Sequence, residues 1–102
     1  MFDKNRYITR GVKEEIGLDI QILIWSYIDA LKKRKDINVD YLQVFELNTI
    51  NRNDIFNQKL VHKQELAPYE KLYLLNVEEP VNKKVYVIDE GDYSTMLLAE
   101  EY

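Results

Sequence analysis

The chain has no cysteine, one histidine, two prolines and three glycines among 102 residues. Without cysteine there can be no disulfide, no thiolate nucleophile and no thiolate metal site. With His62 as the only histidine, a two-histidine metal site is impossible, and a Ser-His-Asp relay would have to use that residue. An ordinary surface or strand histidine is expected. Three isolated glycines leave no G-x-G-x-x-G or G-x-x-x-x-G-K pattern, and so no phosphate-cradling loop. No apolar run approaches the roughly 20 residues of a membrane span, and "MFDKNRYITR" has no apolar core behind its charges, so no signal peptide is expected. Asp89, Glu90 and Asp92 lack the spacing of an EF-hand loop. The pairs Glu14-Glu15 and Glu100-Glu101 could act as acid and base only inside a cleft, where no pattern places them. No enzyme activity is expected, and no catalytic residue, cofactor or metal.

What is present is the balance of a cytoplasmic globular protein, with 46% hydrophobic and 31% charged residues. The length suits one domain over residues 1–102. The net charge of −4 is unevenly spread. Residues 1–35 hold eight Lys/Arg and five Asp/Glu (+3), residues 36–77 four and six (−2), and residues 78–102 two and seven (−5). Such polarity can steer a charged partner. The cluster Lys32-Lys33-Arg34-Lys35 suits a helix C-terminus. With overall acidity and no RNA-binding signature, nucleic acid is disfavoured as a partner, and no membrane partner is expected.

Tyr7 to Val12 reads as a strand ending at a glycine. "GLDIQILIWSYIDALKKRK" follows, with Ile20, Leu23, Ile24, Tyr27, Ile28 and Leu31 on one helical stripe. Ile22 and Trp25 lie on a neighbouring face, either widening the buried surface or forming a contact patch. Asp40 to Leu47 reads as a central strand covered on both sides. "NTINRNDIFN" reads as a hairpin loop, and Phe56 to Leu66 as a polar, exposed edge strand. Lys71 to Val77 and Lys84 to Asp89 are further strands. Gly91 suits a tight turn with positive φ, which favours a strand from Tyr93 over a helix capped by Asp92 or Ser94. The fold class is α+β: one antiparallel sheet of five or six strands in β-α-β-β-β-β order, with one long amphipathic helix packed on a face. Within the last segment Tyr93, Thr95, Leu97 and Ala99 share one face, and Ser94, Met96 and Leu98 the other.

"RYITRGV", "DYLQVFEL" and "VYVIDEGDYSTMLLAEEY" together resemble the small proteins of Staphylococcus and other Firmicutes grouped as domain of unknown function 960. That resemblance implies residence on chromosome cassettes and related mobile elements, and no activity, cofactor or catalytic residue. A fainter likeness joins "RYITRGVKEEIGLDIQILIWSYIDAL" and "YVIDEGDYSTMLL" to the GyrI-like ligand-binding module. It implies a pocket for lipophilic cations, here drawn from Trp25, Tyr41, Phe45, Glu46 and Tyr93. One domain would supply half of that pseudo-symmetric module, so the site would need a homodimer.

The leading expectation is a non-enzymatic protein-interaction module. Its acidic, tyrosine-bearing C-terminal face, with Glu90, Asp92, Glu100 and Glu101, would meet a host or element-encoded protein. Binding of lipophilic cations is the alternative.

Overall fold

The structure, a computed structural model, describes residues 1–50 and 55–102. Strand β1 (Asn5–Ile8) leads into two helices, α1 (Arg10–Glu15) and α2 (Leu18–Lys32). Five strands follow: β2 (Leu42–Thr49), β3 (Gln58–Gln64), β4 (Tyr69–Leu75), β5 (Lys83–Asp89) and β6 (Tyr93–Leu98), closed by a 3₁₀ turn over Ala99–Glu101. They form one six-stranded sheet in the order β1-β6-β5-β2-β3-β4.

The α+β class holds, but three parts of the expected architecture do not. The sheet is mixed, because β1 pairs with β6 in parallel, Asn5 beside Tyr93 and Ile8 beside Met96. β2 is antiparallel to β5 and β5 to β6, so β1 and β2 run the same way. That is what a strand–helix–strand crossover produces. The expected long helix stands as α2 but is not the only one, because the short α1 precedes it, and the chain order gains both a helix and a strand over the one expected. "TRGV" starts a helix rather than ending a strand: the Thr9 hydroxyl accepts from Val12 N at 3.3 Å and caps α1.

β3 is interior, between β2 and β4, and the edge on that side is β4. β2 is central, as its position between β5 and β3 shows, but helices cover one side of it only. Gly91 has φ of 96° at the β5–β6 turn, and β6 is a strand. Asn51 to Asp54 of the expected hairpin loop lie outside the described residues.

On α2, Ile20, Ile24, Ile28 and Leu31 are buried. Ile20, Ile24 and Ile28 meet Phe45, Leu47, Leu60, Val85, Val87, Met96 and Leu98 from the sheet, and Phe2, Val12, Ile16 and Val77 close the margins. Trp25 packs against this core beneath the Arg6 guanidinium, 4.7 Å from the ring centre, and Arg6 also pairs with Asp29. Trp25 thus serves the fold, whereas its neighbour Ile22 is exposed.

Candidate functional site

Side chains alternate across a strand, so the residues pairing with the helix side of β6, β5, β2 and β3 leave their neighbours on the opposite face. That opposite face carries Tyr7, Tyr93, Thr95, Leu97, Tyr86, Ile88, Leu42, Val44 and Val61, with Leu72 and Leu74 at its far edge. No described helix covers it. Tyr7 is 52% exposed and Tyr93 41%, and their rings meet edge to face at 5.7 Å. Tyr86 makes the same contact with Tyr102 at 5.5 Å. Toward β4 the face turns polar, with the Glu46–Lys63 pair at 3.1 Å.

A cavity of about 420 Å³ opens at the C-terminal end of β5, lined by Tyr41, Ile88, Thr95, Leu97 and Tyr102 and rimmed by Asp89, Glu90 and Glu101. Of the five residues expected to share a ligand pocket, only Tyr41 lines it. Phe45 is fully buried beneath the helices, Glu46 lies on the other face of the same strand, Trp25 is on α2, and Tyr93 lies on the tyrosine-bearing face without lining the cavity. The proposed set is therefore not brought together.

The four expected partner-binding acids are divided as well. Glu90 and Asp92 sit at the β5–β6 turn, and Glu100 and Glu101 beyond the far end of β6. The six residues of β6, roughly 20 Å of strand, lie between their backbones, although Glu90 and Glu101 both reach the rim of the cavity. Asp92 reaches Lys4 at 3.7 Å, both highly exposed. Glu100 accepts from Lys83 at 2.8 Å, and Lys83 also pairs with Glu15 at 3.0 Å, which raises the Lys83 pKa.

Glu101 is committed to the fold. Its carboxylate accepts from the Thr9 hydroxyl at 2.7 Å, from Leu98 N at 2.8 Å and from Gly11 N at 3.2 Å. These bonds, that of Thr9 foremost, hold its pKa below the ordinary value. A Cβ at Gly11 would stand 2.6 Å from that carboxyl, so glycine here permits a close approach.

Sequence reasoning missed a buried polar cluster on the helix side of β2 and β3. His62 is fully buried, stacked on Phe45 at 4.4 Å. The Gln43 amide donates to Asp40 O at 2.8 Å and to Gln64 Oε1 at 2.7 Å. That orients Gln43 Oε1 to accept from His62 Nε2–H at 2.6 Å. Nδ1 then carries no proton and has no hydrogen-bond partner, and burial lowers the His62 pKa to about 4. The signal was present in the alternation of Gln58, Leu60, His62 and Gln64, which are all buried. An amide-rich strand reads as solvated unless its partners are known. The side chains of Gln43, His62 and Gln64 are buried. Among the described residues no group of three His, Asp or Glu is placed to hold a metal ion, and no described helix is long and apolar enough to cross a membrane.

No curated protein gives a significant match. Among solved structures, a protein of unknown function from Enterococcus faecalis is similar, with a TM-score of 0.80 and 26% identity over 98% of this chain and 92% of that one. Its likeness supports the mixed six-stranded architecture and, being itself uncharacterised, assigns no activity. The model of the staphylococcal proteins of unknown function matches residues 5–101, so the chain belongs to that family, DUF960.

Proposed function

We propose that this protein is a protein-interaction module whose tyrosine-bearing sheet face receives the basic surface of a protein partner. The observation that carries this reading is the one-sided sheet. Tyr7 and Tyr93 are exposed on a face that no described helix covers, and both lie close to the acids of the β5–β6 turn. Tyrosine rings beside carboxylates suit arginine and lysine side chains, through cation–π and charge-assisted contacts. Glu90 and Asp92, at the β5–β6 turn beside Tyr93, supply the complementary charge. Relative to the sequence-based expectation the surface moves: Glu90 and Asp92 stay at its rim, whereas Glu101 is spent on capping α1. A host or mobile-element protein is the expected partner.

The test uses three immobilised baits in a staphylococcal lysate: wild type, Tyr7→Ser/Tyr93→Ser, and Leu18→Ser. Leu18 is 69% exposed on α2 and serves as the control. Support is a protein held by wild type and Leu18→Ser, released by added salt, and recovered about tenfold less on the tyrosine variant. Equal recovery on all three baits, including none, contradicts the reading.

A second reading, binding of a lipophilic cation, draws on the cavity between Tyr41, Ile88, Leu97 and Tyr102 and its rim of acids. Titration with tetraphenylphosphonium should then shift the NMR signals of Ile88, Thr95 and Leu97 saturably. Flat titrations would remove it.

A further inference from the structure

The two edges of the sheet are built differently. At one edge β1 is four residues long, preceded by Lys4 and carrying Arg6, the short, charged form that discourages pairing. At the other, β4 runs for seven residues without proline and in unbroken register with β3, from Gln58 beside Leu75 to Gln64 beside Tyr69. Leu72 and Leu74 are 52% and 45% exposed there. Among the described residues no strand pairs with the outer side of β4. A long, regular edge with exposed leucines invites another strand.

We propose that β4 pairs antiparallel with β4 of a second copy, about a two-fold axis perpendicular to the sheet and midway between the two copies of Leu72. The charge pattern of the strand selects this partner and this register. A two-fold of that kind keeps each face on its own side, so one residue must stand opposite its own copy across the axis. Centring on Glu70 or Lys71 would oppose two like charges, which destabilises a strand pair. Centring on Leu72 opposes none and overlaps the strand's whole length. It sets Leu72 against Leu72 of the second copy and Leu74 against the aliphatic stem of Glu70. Lys71 then stands opposite Tyr73, the ring type its ammonium already approaches at 5.3 Å within the chain. The result is one continuous sheet with both helix layers on the same side. The tyrosine-bearing ends lie far from the axis, so the dimer presents two such faces.

Sedimentation velocity over a concentration series should show a reversible wild-type dimer. Leu72→Lys, which opposes two lysines on the axis at an exposed position, should be monomeric with an unchanged circular-dichroism spectrum. The chain has no cysteine, so Leu72→Cys should give a disulfide-linked dimer under mild oxidation. Glu70→Cys should not, because its two copies stand roughly 13 Å apart along the strands, beyond disulfide reach. A wild type that stays monomeric, a Leu72→Lys variant as dimeric as wild type, or equal cross-linking at positions 70 and 72 would overturn the proposal. Tyr7→Ser/Tyr93→Ser should remain dimeric, so failure of this dimer and failure of the tyrosine surface register separately.

Discussion

Five hydrogen bonds converge on the amide of Gln64: Oε1 accepts from Asp40 N and from Gln43, and Nε2 donates to the carbonyls of Asn38, Leu66 and Ala67. Gln64→Ala leaves several buried groups without partners, and should cost roughly 2–4 kcal/mol in urea unfolding. A loss below 1 kcal/mol would mean that water replaces the amide. His62 makes the same cluster sensitive to pH. Its pKa is about 4 in the folded protein and near 6.5 when unfolded, so the folded form resists protonation. Stability is therefore full above pH 6.5 and falls as pH drops from there through 4, by about 3 kcal/mol. Asp3, lowered to about 2 by Lys32 and the N-terminal amine, acts in the same direction at lower pH. Relative to His62→Phe, the wild-type urea midpoint should fall as pH drops from 6.5 to 4, and the two should run parallel above pH 6.5. Curves parallel throughout would place the titration elsewhere. The alternation of β3 was legible in the sequence, but not which parity is buried. Lys59, Val61 and Lys63 offer no better core than Gln58, His62 and Gln64 until the carbonyls that receive the amides are in place.

At the scale of elements, the C-terminal turn pins the N-terminal helix. Glu101 joins Thr9, Gly11 and Leu98, and Lys83 ties Glu15 to Glu100. Glu101→Ala should speed amide exchange at Gly11 and Leu98 while Val87 in mid-sheet stays protected. Unchanged exchange at Gly11 would show that the carboxylate adds nothing. Within β6, Leu97 and Leu98 are both buried, on opposite faces. Each Leu→Ala change should cost about 2–5 kcal/mol, the smaller loss falling at Leu97, whose face is open. Ser94→Ala should be neutral or slightly stabilising, since the buried Ser94 hydroxyl has no partner. Urea melts check all three. The long helix, the Gly91 turn and the strand from Tyr93 were legible because periodicity and turn chemistry are local. The first helix was not: six residues are too few for a period, and Tyr7-Ile8-Thr9 favours β structure until Thr9 is seen to cap.

At the scale of the whole molecule, both helices lie on one side of a mixed sheet and leave aromatic side chains on the other. The parallel β1–β6 pair was not legible, because it joins residues nearly a whole chain apart and depends on where the crossover sets β1 down. Nor could charge counts reveal that β6 parts the C-terminal acids and that Glu101 is held by the fold. Clustering by segment is not clustering in space. What survives of the expected surface is its tyrosines with the acids at one end. The most direct test is hydroxyl-radical footprinting of the protein with and without the partner retained by the wild-type bait, read at aromatic residues on both sides. Tyr7 and Tyr93 should lose most of their reactivity in the complex while Trp25 and Tyr73, on the helix side, keep theirs. Protection of Trp25 and Tyr73 with Tyr7 and Tyr93 unchanged would contradict the account.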